Sequence, residues 1–259
     1  MLVNQYVLIK LPLRNLVYLY LNSKNLTVFG LCKNTYNFAF RYLLLSMSDY
    51  IKSLIQQGEH QKLDFKHSIT DSKKIARSLA AFANTNGGKL LVGVRDNGSI
   101  AGVQGDEEFY MVQAAADMYC EPSIQFETKA WNVQGKTVLE ISIPEVKNDL
   151  LISAPNKENV YRVYIRVNDQ NFIVNNIYLK AWNKKKHSNG VLIRYDEPER
   201  RLFDYLEFNQ SITFSKFIKV AGIIRYKAEK VMVNLIVLDL IKIVFNENQV
   251  TYKLKNEIN

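Results

Sequence analysis

The sequence predicts an α+β protein in which a mixed-sheet core is followed by a small module of three helices and a hairpin. Three observations carry this. Segments such as LDFK (63–66) and VYRVYIRV (160–167) place an apolar side chain at every second residue, the period of a half-buried strand. Spacings of three and four recur between them, as in residues 72–85, and argue for amphipathic helices. After residue 197 the order changes to helix, helix, turn, helix and two strands.

The 259 residues are 47% hydrophobic, enough for one or two ordinary cores. The net charge of +9 favours polyanionic partners but does not bear on fold. Cys32 and Cys120 lack the spacing of a zinc or redox pair, so an oxidising compartment is not indicated and a cytoplasmic setting is expected. Residues 1–46 differ from the rest. They hold no Asp or Glu, and five of the 34 basic groups, Lys10, Arg14, Lys24, Lys33 and Arg41. Their apolar pieces are interrupted before reaching the roughly 18 residues a membrane span needs, and no clean signal pattern follows a basic start. The segment reads as a doubtful extension with Met47 as the true start, which leaves 29 basic against 25 acidic groups, a charge of +4. The alternative is a membrane-surface appendage; no membrane partner is expected.

The core is expected over residues 47–186. SDYIKSLIQQ (48–57) places Tyr50, Ile51, Leu54 and Ile55 on one helical face. In LDFK, Leu63 and Phe65 share one side of a strand and Asp64 and Lys66 the other. Thr70 or Asp71 caps a helix from Ser72 to Thr85 that buries Ile75, Leu79, Phe82 and Ala83, and Gly87-Gly88 ends it. A strand from Lys89 to Arg95 turns at Asp96-Asn97-Gly98 and returns over Ser99–Val103. A helix over 106–119 and a hairpin of 124–131 with 136–143 follow, and Pro144 ends the hairpin. Then comes a loop to about Asn159. In the strand VYRVYIRV one face carries Arg162, Tyr164 and Arg166. A short helix over 176–182 closes the core, and NKKKHSNG reads as a basic linker that brings the chain through residues 187–197 to the last module.

Together, EHQKLDFK, the helix ending AFANTNGG, and LLVGVRDNGSIAGV resemble the Schlafen AlbA_2 family, over roughly residues 56–184. The family is catalogued as a DNA-binding domain and in places as an ATP-binding module. In the Schlafen nucleases, which this family resembles, an acid, a second acid five later and an Asp after the G-V strand form a carboxylate triad that binds divalent metal and cuts RNA. The resemblance carries these roles to Glu59, Asp64 and Asp96, as catalytic residues and as ligands of Mg²⁺ or Mn²⁺. Such an ion activates water and offsets charge building on a phosphoryl group. Asp64 departs from the Glu usual there, and its shorter arm shifts the ligand oxygens by about one methylene. Equally, Glu59 can be a solvated charge, Asp64 a partner of Lys66, and Asp96 a turn residue.

His60 and His67 lie seven apart along one strand, on opposite faces, and do not form a shared metal site. The ATP-binding label fails on residues: Ala83 stands where a P-loop needs its first glycine, and Leu90 where it needs a hydroxyl. Lys66, Lys73, Lys74, Arg77, Arg162, Arg166 and Lys184–Lys186 are candidates for phosphate contact.

The module at 198–259 resembles a winged helix-turn-helix domain. Helices over 197–208, 213–220 and 225–238 precede a hairpin of 241–245 and 250–254. If it binds DNA, the third helix offers Arg225, Tyr226, Lys227 and Lys230 to the major groove. That helix also holds more apolar residues, from Val231 to Leu238, than one buried stripe requires, which points to a dimer or to docking on the core. The sequence thus leads to a nucleic-acid-binding protein and transcriptional regulator acting on DNA or RNA. Two alternatives stand beside it: a metal-dependent endoribonuclease, and an interaction module that forms a homo-oligomer through the winged helix.

Overall fold

The computed structural model describes the backbone of three strands, residues 5–10, 16–22 and 25–29, and then residues 49–103, 105–146, 150–187 and 195–255. β1 (Gln5–Lys10), β2 (Leu16–Asn22) and β3 (Asn25–Phe29) pair as an antiparallel meander. The expected start at Met47 concerns residues that otherwise lie outside those described.

The core begins with α1 (residues 49–57). β4 (Leu63–Lys66), β5 (Gly88–Val92), β6 (Glu127–Val133) and β7 (Lys136–Ile143) form a mixed sheet in the order β4-β5-β7-β6. β4 and β5 are parallel, and the other two pairings are antiparallel. A parallel pair needs a crossover, and α2 (Ser72–Ala83) supplies it. Asp71 starts α2 by accepting from the amides of Lys73 and Lys74. Gly87 ends the crossover at φ +62, where a Cβ would lie 2.7 Å from the Ile143 carbonyl.

The period of two sorts the sheet's faces. Leu63, Phe65, Leu91, Val133 and Val138 turn to α1 and bury Ile51. Leu90, Val92, Leu139, Ile141 and Ile143 turn to α2 and α3 (Glu107–Met118). On α2 the expected stripe is widened by Ala76, Ser78, Ala80 and Ala81, all buried. The reason is a second sheet on its other side, β8 (Ser153–Pro155), β9 (Tyr161–Val167) and β10 (Gln170–Ile173), antiparallel in the order β10-β9-β8. A helix between two sheets is buried nearly all round, and its alanines let both approach closely. β8 and β10, at three and four residues, are too short to show an alternation of their own. The return strand expected over 99–103 is not formed. Only single bridges, Val94 to Ile100 and Val103 to Thr137, remain there. Gly93 and Gly102 both take positive φ and meet face to face, which bends the chain out of register.

α4 runs over Asn176–His187, five residues beyond the expected end at Trp182, so the basic run is not a linker but the last turn of a helix. Cations there complement the helix dipole. They also find partners: Lys184 donates to Asn234 at 2.6 Å and Lys185 pairs with Asp239 at 2.7 Å, while Lys180, earlier in α4, pairs with Glu229 at 2.7 Å. α5 (Glu197–Phe208), α6 (Phe214–Ala221), α7 (Arg225–Val237) and the hairpin of β11 (Ile241–Phe245) with β12 (Val250–Leu254) complete the chain. Ile177 and Ala181 of α4 share one cluster with Leu202, Phe217, Met232, Leu235 and Tyr252. The apolar surplus on α7, assigned from sequence to a dimer or to docking on the core, is met within the chain by docking on α4, which falls inside the expected core. Its inner face buries Val231, Met232, Val233 and Leu235 against α4, α5 and α6.

The two modules share an interface. Val163, Ile165, Phe172 and Val174 on the far face of the second sheet pack against Tyr178 and Phe245. Phe245 lies 6.0 Å from Phe172 and 6.0 Å from Tyr178 between ring centroids. Among the described residues no helix is long and apolar enough to cross a membrane.

Candidate functional site

Between α2 and the second sheet opens a cleft of about 630 Å³. Its floor is β4, which turns Asp64 and Lys66 toward it because Leu63 and Phe65 take the opposite face. Lys74 and Arg77 come from α2, Tyr164 and Arg166 from β9, Asn171 and Ile173 from β10, and Lys157 from the loop before β9.

At the floor Asp64 and Arg166 are buried together, with 4% and 1% of their surfaces exposed. Arg166 Nη2 lies 3.4 Å from Asp64 Oδ1, and Lys66 Nζ lies 2.9 Å from Oδ2. Arg166 spends its other donors on protein. Nε donates to the His60 carbonyl at 3.1 Å, Nη2 to the Leu63 carbonyl at 3.1 Å and Nη1 to Asn171 Oδ1 at 3.2 Å, while the guanidinium lies 4.5 Å from the Phe82 ring centroid. The expectation that Arg166 faces a phosphate is corrected: alternation puts it beside Tyr164 on the face of β9 that packs on α2, where it ties β4 to β9 and β10.

Glu59 reaches the same floor. Its Oε1 accepts from the Phe65 amide at 2.8 Å, and Lys66 Nζ is 3.9 Å away. Burial, and then the hydrogen bond shared with Asp64, push its carboxyl up to about 7. Burial pushes Asp64 up as well, but the Glu59 hydrogen bond and the charges of Lys66 and Arg166 outweigh it and leave Asp64 below its ordinary range.

Asp96 does not join them. It is exposed on the turn between Arg95 and Ser99, which closes by the Gly98 amide donating to the Arg95 carbonyl at 2.8 Å. Among the described residues no three His, Cys, Asp or Glu side chains are gathered closely enough to hold a metal ion. The expected Mg²⁺ or Mn²⁺ site on Glu59, Asp64 and Asp96 thus does not fit this arrangement, in which Lys66 and Arg166 already occupy Asp64.

The remaining candidates divide. Lys66, Lys74 and Arg77 line the cleft. Lys73 points away, bonding Asn159 Oδ1 at 2.7 Å and lying over the Tyr119 ring. Arg162 is exposed on β9, close enough for its charge, with that of Arg77, to act on the Tyr164 hydroxyl. Arg225, Tyr226, Lys227 and Lys230 are exposed at the start of α7, outside the cleft, with Arg225 5.5 Å from the Phe214 ring centroid. Sequence reasoning missed Asn156, Lys157 and Ile173, which sit in segments too irregular or short to place. The one available signal was Asn156, whose side chain accepts from the amides of Glu158 and Val160, both at 2.9 Å, in the local pattern that favours Asn in turns.

No curated protein sequence matches the chain significantly. Among solved structures, it is similar to the DIP2311 protein from Corynebacterium diphtheriae, at 20% identity and a TM-score of 0.40, over 65% of this chain and 38% of that one. It is also similar to the N-terminal domain of a RecG-related protein from Nitrosomonas europaea, at 19% identity and a TM-score of 0.30, over 49% of this chain and 95% of that one. A family model supplies the firmer match: residues 59–175, which build both sheets of the core and every residue of the cleft, match the family described as Schlafen, AlbA_2.

Proposed function

We propose that the chain is a nucleic-acid-binding protein whose core cleft holds a phosphate backbone. The observation that carries this is the convergence of Lys66, Lys74 and Arg77, three cations from two elements, on one concave surface with Lys157 opposite. Cations so placed displace counterions from a polyanion and position it without reading its sequence. The AlbA_2 match agrees with this reading. The last module is read as a winged helix in which α7 presents Arg225, Tyr226, Lys227 and Lys230 to duplex DNA, the arrangement of a transcriptional regulator.

The test is fluorescence anisotropy of the full chain with labelled DNA and RNA over a range of salt. Log affinity is expected to fall linearly with log salt, with a slope near the number of phosphates neutralised. A Lys74→Glu/Arg77→Glu variant is expected to lose most of that binding while retaining its circular dichroism spectrum. Affinity that ignores salt, or a charge-reversed variant that binds as wild type, would refute the cleft as the site.

A further inference from the structure

The cleft differs in three respects from a surface that only attracts a backbone. First, its volume of about 630 Å³ lies in the range of roughly 300–1,000 Å³ that takes one small molecule. That is room for a base with its sugar, not for two stacked strands. Second, its charge is uneven. Lys74 and Arg77 stand on α2, whereas on the opposite side Lys157 is outnumbered by the exposed carboxylates Glu158 and Asp169, on the loop before β9 and the turn after it. A duplex would bring a second row of phosphates toward those carboxylates, and a single strand would not. Third, Ile173 is 45% exposed in this otherwise charged setting. It shares the cleft face of β10 with Asn171, whose amide donates to Ser78 of α2 at 3.1 Å.

The polar groups are arranged to match. Arg77 Nε donates to the Pro155 carbonyl at 2.7 Å, which fixes the guanidinium plane. Its two terminal nitrogens make no hydrogen bond among the described residues, and the Lys74 ammonium has no partner there either. A fixed guanidinium with two free terminal donors suits bidentate contact with phosphate oxygens. Asn156 has its carbonyl oxygen committed to the amides of Glu158 and Val160, which leaves its NH₂ to donate. Base carbonyls and ring nitrogens are acceptors for such a donor once a base is unpaired.

We infer that the cleft holds one nucleotide of an unpaired strand, with the phosphate on Lys74 and Arg77, the base face against Ile173 and the base edge at the Asn156 amide. This rests on the nucleic-acid reading above and narrows it to single-stranded DNA or RNA.

The experiment titrates the full chain with fluorescein-labelled ten-residue oligo-dT, oligo-U and a blunt duplex of equal length, at several salt concentrations. With the α7 surface weakened by Lys227→Gln/Lys230→Gln, the full chain is expected to bind at least one of the single strands about tenfold or more tightly than the duplex. The two single-strand arms show which sugar is preferred. Lys74→Gln and Arg77→Gln are each expected to lower the salt slope for single strands by about 1. Ile173→Asp, at an exposed position that leaves the fold intact, is expected to weaken single-strand binding about tenfold and leave duplex binding unchanged. Equal affinity for duplex and single strands in the full chain carrying Lys227→Gln/Lys230→Gln, which weakens the α7 surface, or an Ile173→Asp variant that binds single strands as wild type does, overturns the unpaired-strand inference while leaving salt-dependent binding in place. Failure of all three probes to bind overturns the nucleic-acid reading itself.

Discussion

Replacing Arg166 by methionine removes a cation that holds the floor of the cleft to the second sheet. The guanidinium gives three hydrogen bonds to protein, to the carbonyls of His60 and Leu63 and to Asn171 Oδ1, and faces Asp64 at 3.4 Å. Methionine can follow the same path across Phe82 but donates nothing. Breaking one side of a buried ion pair typically costs about 3–5 kcal/mol. The lower end applies here, because Asp64 keeps Lys66 at 2.9 Å. A loss of about 3 kcal/mol lowers Tm by about 6–12 °C in a chain of this size. Urea unfolding followed by circular dichroism measures it. The coupling is checked with Asp64→Leu and with the double variant Asp64→Leu/Arg166→Met, which leaves neither charge stranded. The double variant is expected to be clearly more stable than the sum of the two single losses allows. A loss under about 1 kcal/mol in Arg166→Met, or strict additivity in the double variant, would show that the pair is not coupled.

Two further outcomes are expected. Glu140 is 2% exposed on the α1 face of the sheet, where it accepts from Tyr50 at 2.9 Å, from Trp131 Nε1 at 2.7 Å and from Lys89. Burial raises its pKa, but the hydrogen bonds from Lys89 and Tyr50 outweigh burial and leave it below its ordinary value of 4.5. A depressed folded value means that the stability it adds is present above pH 4.5 and lost as pH falls through the folded value. The stability gap between wild type and Glu140→Gln should therefore narrow as acid is added, and urea midpoints showing a constant gap from pH 6 to pH 3 would contradict this. The second outcome concerns α4. A fragment of residues 174–255 is expected to fold cooperatively, whereas residues 195–255 alone expose the α7 face that Ile177 and Ala181 cover and are expected to aggregate or give a collapsed amide spectrum. A well-dispersed spectrum from the shorter fragment would show that α4 is dispensable.

Much of the local structure was legible in the sequence because it depends on neighbours along the chain. Alternation fixed which residues of β4 and β9 share a face. Asp71 and Gly87 marked the ends of the α2 crossover, and the apolar spacing of residues 197–254 set out α5 to β12 nearly to the residue. Candidate cations on α2 were legible for the same reason, since charge and helical period are both local.

Tertiary structure decided what depends on distant segments. Spacing could not show that the face of β9 carrying Arg166 turns inward, because a strand has two faces and only the packing of α2 between two sheets selects one. It could not separate Asp96 from Glu59 and Asp64, since proximity along a motif does not fix the direction of a turn after Gly93. Nor could it show that α4 covers α7, because a run of lysines looks like solvated linker until Asn234 and Asp239 are brought beside it. The sequence by itself determined most of the helices and the longer strands, with their order and apolar faces, which are set by short-range sterics and periodicity. The cleft, the ion pair beneath it and the joining of the two modules arise only when β10 is laid between α2 and Phe245, a long-range contact that no local pattern records.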